Sequence, residues 1–210
     1  MDQFQLLLNS PANLAILVAN IVLSSMAFGN VRLMDRLLFD VGRMRRNKEW
    51  YRGVTSAFIH GDPFHLFMNM LALFFFGPII EYSFGPLSFL GIYFGSLLGG
   101  SLWTWMEHFK DSNYKALGAS GAISGLTSAI ALFAPFSTIY AFFAIPMPLI
   151  VFAGAYIVWS AVASSTGVRD GIGHAAHLGG ALAGIAIVCI FWPEAPQSMI
   201  DQIIDKARGL

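Results

Sequence analysis

The chain has 210 residues, 56% apolar and only 11% charged, against roughly 25% charged for an ordinary soluble domain, so lipid is expected to be its main solvent. Twelve basic residues balance twelve acidic ones, which leaves no basic stripe suited to a nucleic acid. A single cysteine, Cys189, excludes an internal disulfide and any multi-thiolate metal site.

Stretches free of Asp, Glu, Lys and Arg run over residues 3–31, 63–80, 82–106, 116–168 and 171–193. A membrane-crossing helix needs about 20 apolar residues. The stretch 116–168 is too long for one helix and is broken by Pro135 and by Pro146-Met147-Pro148, so it is expected to hold two. The expected fold is therefore an all-α membrane protein, a compact bundle of six transmembrane helices. The spans fall at about 11–28, 63–80, 87–106, 117–134, 148–163 and 174–192. Such a bundle fills 1–210 as a single domain and leaves no room for a separate soluble one.

In chain order, the lead before Pro11 lacks the basic region of a cleaved secretory signal, so the first span is expected to remain. The connection from about Gly29 to Asp62 carries seven basic and four acidic residues. Its Leu33, Met34, Leu37, Leu38 and Phe39, interleaved with charge, predict an amphipathic piece lying in the interface. Glu81 and Gly85-Pro86 are read as ending the second span, and Trp103 and Trp105 mark the far end of the third as interfacial anchors. A polar connection, 107–115, leads into the fourth span, which Pro135 stops. An aromatic connection, 136–145, precedes the fifth, and the loop 164–171 precedes the sixth, which ends at Pro193. Residues 194–210 are read as a short helical tail.

Polar side chains in hydrocarbon are functional candidates by default because they are costly there. His65 and Asn69 are four apart and project from one helix face. The plainer account of this pair is interhelical hydrogen bonding, worth about 0.6–2 kcal/mol per bond. Ser120 stands in Leu117-Gly118-Ala119-Ser120-Gly121-Ala122-Ile123-Ser124-Gly125, whose plainer account is close helix packing. Gly121 and Gly125 on the fourth span, and Gly180 and Gly184 on the sixth, give each helix a face of small residues. His177 lies one turn before Gly180, so two such helices in contact make a Ser120–His177 pair plausible, with His174 as the second candidate base. A metal held by His174 and His177 is the weaker reading, since only the scattered His60 and His65 accompany them.

Several separate motifs now stand in order: Glu49-Trp50-Tyr51-Arg52, His60, His65-x-x-x-Asn69, and Gly77-x-x-x-Glu81-x-x-x-Gly85. Gly118-Ala119-Ser120-Gly121 and Ala176-His177-x-Gly179-Gly180-x-x-x-Gly184 follow. Together, on six spans, they resemble the rhomboid intramembrane serine proteases from about residue 11 to 193. The resemblance implies that Ser120 is a nucleophile and His177 its general base, a dyad without a carboxylate. It implies an oxyanion hole of His65, Asn69 and the Ser120 backbone N–H. Arg52, Glu81, Gly118, Gly121, Gly180 and Gly184 become structural supports. Ser124 departs from the pattern, since some members carry there an aromatic ring that packs on the base, and this leaves open how His177 is held.

By the same resemblance the protein is an integral multi-pass membrane protein of a bacterial inner membrane. It needs no cofactor or metal, and its partners are the lipid bilayer and transmembrane protein substrates, cut near the outer end of a spanning segment. The alternative is a catalytically inactive relative that binds membrane helices without cleaving them, against which the presence of both Ser120 and His177 argues. A small transporter would show paired intramembrane charges or inverted repeats, and the sequence has neither. Basic residues favour cytoplasmic loops, which would put residues 29–62 inside. The resemblance puts that loop and the active-site mouth outside with both termini in the cytoplasm, and this is the orientation expected, because basic residues in an interfacial helix can face headgroups.

Overall fold

Helix ends are written in the sequence as prolines, glycines and short polar side chains. Asp2 caps α1 (Gln3–Leu8) by accepting from the Gln5 N–H at 2.8 Å, and proline opens α2 (Pro11–Phe28). Asn30 and Asp40 cap α3 (Val31–Leu37) and α4 (Val41–Asn47) in the same way. The one-turn α5 (Arg52–Thr55) follows. Asp62 caps α6 (Pro63–Phe84), and Gly85, at φ 85°, turns the chain into α7 (Pro86–His108). Next come α8 (Ser120–Phe133), α9 (Leu149–Thr166), α10 (His174–Phe191) and α11 (Ala195–Arg208). Two antiparallel pairs complete the chain: β1 (Phe39–Asp40) with β2 (Lys115–Ala116), and β3 (Thr138–Ala141) with β4 (Ile145–Pro148). This computed structural model describes residues 2–141, 144–168 and 170–209. Phe142 and Phe143 of the aromatic connection and Arg169 of the loop before α10 lie outside the described residues.

Five helices, α2, α6, α7, α9 and α10, are long and apolar enough to cross a membrane. The sixth, α8, is shorter than the expected 117–134. Gly118 has φ 111°, outside the helical region, so the helix begins only at Ser120. Its 14 residues span about 21 Å at 1.5 Å per residue, short of the roughly 30 Å hydrocarbon core. The N–H groups of residues 117–119 lie outside the helical ladder, which is tolerated at membrane depth only where protein or a water-filled cavity surrounds the backbone. Glu81 also differs from its reading as a stop. The helix runs past it to Phe84, because the carboxylate points inward and accepts the N–H groups of Ala12 (2.9 Å) and Asn13 (2.6 Å). It caps the start of α2 from another helix, meeting unpaired donors and the positive end of the helix dipole with a charge that is itself 3% exposed.

The connection between α2 and α6 folds around Arg52, 1% exposed. Its guanidinium donates to the carbonyls of Asp35 and Leu38, both at 2.8 Å, and pairs with Glu49 at 2.6 Å. Ala27, Leu38 and Ile59 form a small core beneath it.

The main core sits where α10 packs against α7 and α8. Residues 121–132 of α8 are all buried, whereas α2, α6 and α9 carry exposed Val18, Val22, Phe67, Phe75, Val151 and Val158 on faces suited to lipid. The contact of α10 with α8 is made backbone to backbone. A Cβ on Gly180 would strike the Gly121 carbonyl, and one on Gly184 would sit 2.5 Å from the Gly125 carbonyl oxygen. Overpacking a fixed contact costs about 1–3 kcal/mol, so Gly184→Ala is expected to lower the Tm of the detergent-solubilised protein by about 2–12 °C. Gly29→Ala, where a Cβ meets nothing within 4 Å, is expected to leave it unchanged in the same melts.

Candidate active site

The site is built on the irregular segment before α8. The Gly118 N–H donates to the Ser56 carbonyl at 2.9 Å, and the Ala119 N–H reaches His60 Nε2 at 3.4 Å. The other nitrogen of that ring, Nδ1, lies 2.9 Å from Ser24 Oγ, whose hydroxyl donates to the Phe58 carbonyl at 3.2 Å. Only one tautomer fits this chain, with Nε2 accepting and Nδ1–H donating. It requires a neutral ring, and burial of His60, reinforced by the neighbouring His65, pushes its pKa down to about 3. A histidine in the loop before α6 thus links the segment carrying Ser120 to α2.

Ser120 is the first residue of α8 and is half-buried, and His177 lies one turn into α10. The glycine contact described above brings the two helices close enough for His177 Nε2 to lie 2.7 Å from Ser120 Oγ. His177 is 8% exposed, and its Nδ1 has no hydrogen-bond partner among the described residues. His174 instead directs Nε2 to Asp170 Oδ2 at 3.1 Å, so it faces the loop before α10 and not the serine. The exposed Asp170 carboxyl is held below its usual range by the Ile172 N–H first and by His174 second.

His65 and Asn69 both come from α6. The His65 ring lies against the Ser120 segment, so that a Cβ on Gly118 would sit 2.9 Å from its Nε2. Asn69 is buried one turn further on and donates to the His65 carbonyl at 2.9 Å. Neither side chain hydrogen-bonds Ser120 directly. Behind the serine lies a cavity of about 40 Å³, whose polar lining includes Ser56, Ser101 and Thr104. That is room on the order of one water molecule.

With this geometry in hand, comparison with known proteins is decisive: the domain described as Rhomboid domain matches residues 47–194. The chain belongs to the rhomboid family. It is 33% identical over 154 residues to RHOMBOID-like protein 12, mitochondrial, of Arabidopsis thaliana, covering 66% of this chain and 44% of that protein. It is 29% identical over 173 residues to Rhomboid protease AarA of Providencia stuartii, covering 72% of this chain and 59% of that one. A shorter match, 44% over 59 residues, covers 28% of this chain and 17% of Inactive RHOMBOID-like protein 8 of Arabidopsis thaliana. The chain thus spans about half the length of the first two relatives. Rhomboid proteins are multi-pass membrane proteins and commonly intramembrane serine proteases, and some relatives are inactive.

Two residues at the site escape a reading of motifs. Ser24 orients His60 from α2 and stands in the sequence as an ordinary small residue of an apolar span. Tyr156, on α9, lays its ring beside His177 with centroids 5.4 Å apart and planes inclined by 30°. The available signal was the spacing of Phe152, Tyr156 and Trp159, which puts three aromatic rings on one helix face.

The sign of the His60 contribution follows from its lowered pKa. The unfolded chain takes up a proton near pH 6.5 and the folded one only near 3. The stabilisation is therefore complete above about pH 6.5 and is lost progressively as the pH falls toward 3. Melts of the solubilised protein are expected to show Tm falling between about pH 7 and pH 5, with a smaller fall in His60→Gln.

Proposed function

We propose that this protein is an intramembrane serine endopeptidase that cleaves transmembrane segments of other membrane proteins, with Ser120 as nucleophile and His177 as general base. The 2.7 Å contact between Ser120 Oγ and His177 Nε2 is the observation that carries the reading. His177 takes the hydroxyl proton as Oγ attacks the scissile carbonyl, then returns it to the leaving amine as the acyl-enzyme forms. Water attacks the ester with His177 again as base, which releases the second fragment and restores the serine.

Negative charge that grows on the carbonyl oxygen needs donors aimed at it. The Ser120 N–H, at the first position of α8, has no partner inside the helix and lies at the positive end of its dipole. The ring of His65 and the second amide N–H of Asn69 complete the proposed oxyanion hole. Arg52, Glu81, Gly118, Gly121, Gly180 and Gly184 serve as supports, through the loop, cap and backbone contacts described above. The substrate helix must unwind locally to expose a carbonyl, and the reaction needs water. The paired serine and histidine speak against the inactive alternative that only binds helices.

The same reading treats 1–210 as one catalytic bundle in a bacterial inner membrane, with residues 29–62 and the active-site mouth outside and both termini in the cytoplasm. This orientation rests on the resemblance and is preferred to the charge count because basic residues of an interfacial segment can face headgroups.

A fluorophosphonate probe is expected to label the wild type but neither Ser120→Ala nor His177→Ala. Co-expression with single-span membrane proteins is expected to give fragments that vanish in both variants. Equal labelling or equal cleavage in the variants would remove the dyad. Losing one oxyanion donor typically costs about 10² to 10³ in rate, so Asn69→Ala and His65→Ala are expected to cleave measurably but at least about a hundredfold more slowly. For orientation, Lys48→Cys in a Cys189→Ser background is expected to react with a membrane-impermeant maleimide in intact cells. Protection until lysis would reverse the topology.

A further inference from the structure

If Ser120 and His177 work as proposed, the base poses a problem that its hydrogen bonds do not solve. An imidazole in such a site needs a second restraint to keep Nε2 turned to the serine, yet Nδ1 of His177 has no partner among the described residues. Asp170 is engaged with His174, and the rings of His174 and His177 stand 6.2 Å apart with planes at 81°. Orientation must come from packing. The ring against His177 belongs to Tyr156, which is itself held on both sides. Phe152 stacks on it with centroids 6.1 Å apart and planes at 11°, and its hydroxyl lies 3.0 Å from Ser124 Oγ. Ser124 donates its own proton to the Ser120 carbonyl at 2.7 Å, so Tyr156 is the donor in that contact. Ser124 is one turn after Ser120 on α8. The helix that bears the nucleophile therefore holds the ring that faces the base.

We propose that Tyr156 is the positioning residue for His177, and that through it the orientation of the base depends on α9 remaining seated against α8 and α10. α9 is otherwise a peripheral helix, with Val151, Val158, Trp159 and Val162 exposed and only Leu149, Ala153, Ser160 and Ala163 buried. The contact from Tyr156 through Ser124 to the Ser120 carbonyl gives it a polar attachment to the site.

The test uses the 210-residue chain in detergent and the rate of fluorophosphonate labelling at Ser120, resolved into the maximal rate and the probe concentration for half that rate. Misorienting a catalytic group costs on the order of tenfold to a hundredfold. Tyr156→Leu is expected to lower the maximal rate at least about tenfold with the half-saturating concentration unchanged, and Tyr156→Phe, which keeps the ring, to stay within about threefold of wild type. Returning a ring from α8 by exchanging the two residues, in Ser124→Tyr/Tyr156→Ser, is expected to recover most of the loss, and it conserves the total side-chain volume should the single variant fold poorly. Val158→Ala, on the exposed face of α9, is expected to label like wild type. A wild-type rate in Tyr156→Leu, no recovery in the double variant, or an equal loss in Val158→Ala overturns the proposal. Absence of labelling in the wild type overturns the dyad itself and this proposal with it, whereas normal labelling in both wild type and Tyr156→Leu overturns only the role of Tyr156.

Discussion

Everything at the site depends on how closely the backbone of α10 approaches that of α8. Gly180 and Gly184 face the carbonyls of Gly121 and Gly125 with no side chain between, a separation that glycine alone permits. Only at that distance does a histidine one turn before Gly180 reach a serine one residue before Gly121. Lipid gives apolar helices no hydrophobic reason to associate, so packing contact of this kind supplies the association.

The second constraint is the shortness of α8. Because the helix begins at Ser120, the N–H groups of the irregular backbone before it need partners from elsewhere. Gly118 finds the Ser56 carbonyl and Ala119 finds His60. The relay from His60 to Ser24 then ties the position of the serine to α2, the helix whose own start is capped by Glu81. Glu81 and His60 are thus answers to one requirement, that backbone donors in hydrocarbon be paired.

Five of the six expected spans match the helices closely, because long charge-free stretches and flanking prolines are strong signals. α8 was legible as an apolar segment but not in its length: Leu117 and Ala119 look like helix formers, and only Gly118, at φ 111°, carries the break. Glu81 was misread as an end because a sequence shows a charge and not the two N–H groups that satisfy it. At the site, glycine spacing pairs Ser120 with His177, and both histidines of α10 were visible as candidates. The sequence already ranks His177 before His174, and the structure adds that His174 is turned to Asp170. Tyr156 was hidden for a different reason. Its ring reaches His177 from α9, and no local pattern in the sequence records a contact between two helices.

The glycine contact also divides the molecule's freedom to vary. Along the seam between α8 and α10 a methyl group on one backbone meets the carbonyl of the other, so each single replacement there costs stability. The outward faces of α2, α6 and α9 carry no such interlock. Changes in side-chain size are therefore absorbed far more readily at the rim than along the seam that sets the spacing of Ser120 and His177.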